Sequence, residues 1–156
     1  MMIKKITLLL NVASLFSCTS SFSEKEKEEY TLKGKEIAQA SFKALSTELM
    51  AQMKAGGPAK ADPFCKVQAG PILNEVASNY DVTIVRSSDQ LRSCKTEPTE
   101  RELDIINNYK NALSDNKELK PIVEIDEANK KHFYAPIIVS ANCLVCHGKI
   151  NETMTA

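Results

Sequence analysis

The sequence predicts an α+β domain, an antiparallel sheet with long N-terminal helices packed on it, following an export signal. Three observations lead there. Between residues 31 and 54, Ala38, Phe42, Leu45, Leu49 and Met53 recur at steps of three or four with Lys, Glu and Gln between them, the spacing of one helical face. Alternating and β-branched residues over Asp81–Arg86, Pro121–Asp126 and His132–Val139 read as strands. The order helix, helix, strand, helix, strand, strand carries no repeat and gives an antiparallel sheet rather than a βαβ layering.

The elements follow in chain order. Lys4 and Lys5 precede an apolar stretch, Ile6–Phe16, that is too short to span a bilayer and reads as a signal peptide over residues 1–18. Leu15-Phe16-Ser17-Cys18 resembles a lipoprotein cleavage box, which makes Cys18 a candidate lipidation site and a membrane tether. Residues 19–30 are polar and then charged, a tether leading into the first helix of a domain spanning 31–156. Gly56-Gly57-Pro58 ends that helix. Asp62-Pro63 reads as the N-cap and first position of a second, with Cys65 in its first turn. Gly70-Pro71 should kink or break it. A polar loop over 87–98 holds Arg92 and Cys94, and Thr99-Glu100-Arg101-Glu102 matches a capping box with Leu103, Ile106 and Leu113 behind it. The last two strands form a hairpin across a turn at 127–131, and Pro136 marks an edge or bulge.

Charge narrows the function classes. With 20 basic and 20 acidic side chains the net charge is zero, so no basic face for nucleic acid is indicated. Only 2 histidines are present, which leaves no Ser/His/Asp arrangement if one binds a metal, and the chain reads as a non-enzyme. The 5 cysteines carry the chemistry: Cys18, Cys65, Cys94, Cys143 and Cys146.

Cys143-Leu144-Val145-Cys146-His147 has the attachment spacing of c-type haem. Two thiols at this separation reach the two vinyl groups of one porphyrin edge, and the adjacent imidazole reaches the iron as proximal ligand. Export supports this, because such haem is attached outside the cytoplasm. Zinc held by Cys143, Cys146, His147 and either Cys65 or Cys94 is an alternative. A dithiol redox pair is less apt, since no βαβ unit precedes the motif. For the sixth iron position the residues leave the choice open. His132 reads first as an exposed strand-end histidine, and Met50 and Met53 as core candidates on the first helix. Cys65, at a helix start, has dipole support for a thiolate, but a Cys65–Cys94 disulfide is as good a reading in an oxidising compartment. Arg86 and Arg92 are candidates for haem propionates or plain surface arginines.

Taken together, Phe64-Cys65 with its proline-containing helix through Pro71-Ile72, Val85-Arg86-Ser87, Phe133-Tyr134-Ala135-Pro136-Ile137 and Cys143–Gly148 resemble a family of single-haem c-type proteins with a PAS-like fold. The likeness runs over about residues 31 to 148. It implies one covalent haem c with His147 proximal and Cys65 as the distal sulfur of a low-spin iron. One haem motif, one candidate sulfur that would hold iron at low potential and no catalytic constellation point to a periplasmic redox or small-ligand sensor module, or a redox partner, working with another redox or signalling protein. A simple electron-transfer cytochrome c with His/Met or His/His ligation is the competing expectation.

Overall fold

A computed structural model describes residues 21–90, 97–139 and 143–144. Signal and lipidation expectations on residues 1–18, with Arg92, Cys94, Cys146 and His147, lie outside the described residues.

Three helices and one hairpin make up the described part: α1 (Glu24–Gly56), α2 (Pro58–Tyr80), α3 (Glu100–Ser114), β1 (Ile122–Ile125) and β2 (Lys131–Tyr134). Residues 24–30, expected in the tether, are already the first turns of α1. A capping box explains why. Ser23 Oγ accepts from the Glu26 amide at 3.3 Å, and the Ser23 amide donates to Glu26 Oε2 at 2.9 Å, so two otherwise orphaned amides are satisfied.

The link between α1 and α2 is the single residue Gly57, at φ 65° and ψ −158°. An L side chain rarely adopts that backbone, and glycine lets the chain double back there at once. Pro58 then takes the first position of α2, where its missing amide costs nothing. The expected start at Asp62-Pro63 is therefore corrected to five residues earlier. Asp62 lies inside the helix and pairs with Lys66 Nζ one turn on, at 2.7 Å. Nor does Gly70-Pro71 end α2, which keeps both Pro63 and Pro71 within it. Each interior proline deletes a backbone hydrogen bond. Burial of Ala61, Leu73 and Val76 offsets that loss, since α2 packs along α1.

Asp81 closes α2 in the left-handed region at φ 51°, and the Val82 amide bonds back to the Ala77 carbonyl at 3.0 Å. This cap consumes the first residues of the strand expected at Asp81–Arg86. Residues 83–88 pair with no described strand. Beta-branched alternation specifies a strand only where a partner edge is available. The segment is held to α3 by side chains instead: Ser87 Oγ donates to Glu102 Oε1 at 2.7 Å, and Lys110 pairs with Asp89.

Thr99 and Glu102 form the expected capping box of α3. Its inner face differs from the expected one. Ile105 is buried and Ile106 and Tyr109 half-buried, while Leu103 and Leu113 are exposed. On α1 the shift is similar: Phe42 points outward at 74% exposure, and Gly34 is the buried position.

The hairpin pairs Ile122 with Tyr134, Val123 with Phe133, Glu124 with His132 and Ile125 with Lys131. Its turn runs one residue earlier than expected. The Asp126 amide donates to the Lys130 carbonyl at 2.9 Å, and Asp126 Oδ1 accepts from the Lys130 amide at 2.8 Å. Side chains alternate between faces, so Phe133 packs onto α1 at Gly34 while Glu124, His132 and Tyr134 share the other face. β2 stops at Tyr134, before Pro136, which cannot donate to a ladder. The strand expected through Val139 is thus cut short. Ala61, Leu73, Val76 and Ile105 are the only buried large or small apolar side chains among the described residues, a thin core for so much helix.

Candidate functional site

Cys143 and Leu144 are helical, and both side chains are half-buried. Cys143 is the member of the Cys-x-x-Cys-His motif that falls among the described residues. The donor set, two thiols three positions apart and an imidazole next to the second, has the chemistry a covalently held haem needs.

Cys65 sits on α2, exposed to solvent, seven residues after Pro58. That is about two turns into the helix. The free amides of a helix start and the useful part of its dipole reach only the first turn. The expected helix-terminus stabilisation of a Cys65 thiolate is therefore withdrawn. Arg86 is exposed in the segment joining α2 to α3. Met53 is half-buried on α1 and Met50 is 55% exposed.

His132 is not the exposed strand-end residue that sequence suggested. It is half-buried on β2, its Nε2 lies 2.9 Å from Asp126 Oδ2, and Tyr134 stacks over its ring at 6.0 Å between centroids. The imidazole beside Asp126, with the Lys130 amide, holds that carboxyl below its ordinary range. On the same face Arg101 donates from Nε to Glu124 Oε1 at 2.9 Å, which holds Glu124 low and the guanidinium high. Burial pushes Glu102 up, but hydrogen bonds from the Thr99 amide and the Ser87 hydroxyl outweigh it and the carboxyl ends low. Tyr109 presents its hydroxyl to the carbonyls of Lys120 and Tyr134, at 3.0 and 3.2 Å, and burial raises its pKa. This polar belt between α3 and the hairpin was missed by sequence reasoning. Alternate charged residues facing across a hairpin, Glu124 opposite His132, were the readable signal.

A family model for the Tll0287-like domain matches residues 13–155. The chain belongs to the Tll0287-like family. That family is a cytochrome c-like domain, which agrees with the kind of protein that the Cys-x-x-Cys-His spacing and the wider resemblance suggested. The match runs through both Cys65 and the Cys143–His147 motif. No curated protein and no solved structure matches the chain. At the level of architecture, the described residues form a mixed α and β fold with three helices and a two-stranded antiparallel sheet.

Proposed function

We propose that this member of the Tll0287-like family is an exported c-type haem protein acting as a redox or small-ligand sensor module, or as a redox partner. The observation that carries it is the Cys143–His147 motif in a chain of a cytochrome c-like family. In this reading Cys143 and Cys146 would hold the ring through thioethers, and His147 and Cys65 would be the residues that bind its iron. The PAS-like architecture belongs to the same reading. When bound, haem supplies a one-electron iron couple. Among the described residues only Ala61, Leu73, Val76 and Ile105 are buried apolar side chains, and a prosthetic group would add to that interior.

The residues would divide the work as follows. A Cys65 thiolate donates electron density and favours a low potential, which suits sensing or low-potential transfer better than feeding a high-potential oxidase. An external ligand would have to displace that sulfur. Arg86 would balance a propionate. His132 is a weaker competitor for iron, because Asp126 already engages its Nε2 at 2.9 Å. The signal segment would deliver the chain to the periplasm, and a lipidated Cys18 would hold it at a membrane surface through the segment before α1. The partner would be a redox or signalling protein. No catalytic role is assigned.

The test is spectroscopic. Protein matured in a host with haem-attachment machinery should carry covalent haem on a denaturing gel and show thiolate-type low-spin signals. Cys65→Ala should lose those signals while keeping the covalent haem. Unchanged spectra would sink the Cys65 assignment. A high midpoint potential in the unsubstituted protein would favour the electron-transfer cytochrome with a methionine or histidine sixth ligand.

A further inference from the structure

Ile137 is the most exposed large apolar side chain among the described residues, at 77%, and the next two positions are nearly as bare, Ile138 at 59% and Val139 at 64%. Isolated exposed apolar residues, such as Phe42 on α1, are ordinary on a protein surface. Three in succession, all branched at Cβ, are a different matter, because each Å² of apolar area left in water forgoes about 25 cal/mol. The sheet does not account for the run. β2 has ended at Tyr134, and Pro136 cannot extend the ladder.

Position along the chain supplies the missing occupant. Val139 is four residues before Cys143. Four residues span at most about 14 Å, so any ring joined to the Cys143 sulfur is confined to the neighbourhood of this run. A porphyrin face is flat and apolar and needs cover from water, and the run needs an apolar surface of its own to lie against. Each requirement answers the other at the one place where the covalent link forces them together.

We infer that Ile137, Ile138 and Val139 form the apolar wall against which the haem joined to Cys143 rests. The inference deepens the haem reading above and depends on it. The wall limits water at the ring, which raises the potential against the lowering effect of a thiolate ligand. Its contribution to stability appears only when haem is attached.

The experiment compares haem-loaded, exported protein in three forms: unsubstituted, Ile137→Asn/Val139→Asn, and Phe42→Asn as an equally exposed control. Covalent haem is counted first by in-gel staining. With one haem per chain in each form, the double variant should show a lower midpoint potential and a lower thermal midpoint. Phe42→Asn should leave both near the unsubstituted values, as exposed substitutions generally do. Unchanged values in the double variant, or equal changes in the control, would overturn the inference. So would a loaded dimer that the double variant converts to monomer, since a second copy would then be covering the run. If the double variant does not mature, Ile138→Ser carries the same two readouts. Absence of covalent haem from the unsubstituted chain would overturn the haem reading itself, and the haem count separates that failure from failure of the wall alone.

Discussion

Gly34 stands where the helical pair meets the hairpin, buried in α1 with the Phe133 ring laid across it. A Cβ built there would overlap the ring. In an exposed helix, Gly→Ala stabilises by about 1 kcal/mol. Here the sign should reverse, because overpacking a close contact costs about 1–3 kcal/mol. Gly34→Ala should therefore lower the thermal midpoint, and adding Phe133→Leu should recover part of the loss. A Gly34→Ala protein as stable as the parent would show that the hairpin does not seat on α1 in this way. Glycine inside an otherwise helical pattern was visible in the sequence. That a ring ninety-nine positions later needed the space was not, since no local pattern links Gly34 to Phe133.

At the scale of elements, α3 and the hairpin are joined by polar groups more than by apolar packing. Tyr109 faces two carbonyls from different segments, and Arg101 grips Glu124. Tyr109→Phe keeps the ring and removes the hydroxyl, so it should cost about 1 kcal/mol, the usual net worth of such a bond. Urea titration checks it, with a lower midpoint and an unchanged slope expected. A changed slope would mean that α3 separates from the hairpin before global unfolding. The caps of α1 and α3 obey local chemistry, and Thr99 with Glu102 was readable from four residues. The start of α2 was not, because two Xaa-Pro steps, Gly57-Pro58 and Asp62-Pro63, both satisfy the rule for a first-turn proline. The choice between them went to the turn that lets α2 lie back along α1 and bury Ala61.

Acid stability belongs to the whole molecule. Glu124, Glu102 and Asp126 all have carboxyls held below their ordinary range, by Arg101, by Thr99 and Ser87, and by His132 respectively. A carboxyl with a lower pKa folded than unfolded binds its proton less readily in the folded state. Its contribution is complete above the unfolded-state pKa and disappears as pH falls through the folded one. Stability should thus be flat near neutrality and decline through and below the ordinary carboxylate range. Glu124→Gln should make that decline shallower in acid-denaturation curves. An unchanged slope would mean that the Arg101–Glu124 pair forms equally in the unfolded chain or not at all.

The sequence by itself determined the family, and it showed the helices and the hairpin as elements. Cys143, Cys146 and His147 define their donor set by spacing alone, and the family follows from the chain's own residues. The caps, the hairpin and the helical periodicities are local, so they were legible too. Only the tertiary structure decided which faces turn inward, where α2 begins, and that Asp81–Arg86 forms a helix cap and a side-chain-held segment instead of a paired strand. It also decided that Cys65 lies two turns into a helix, beyond the reach of its dipole, and that Asp126 engages His132. Those outcomes depend on which surfaces meet across long stretches of chain, where burial and partner availability override the preferences of neighbouring residues.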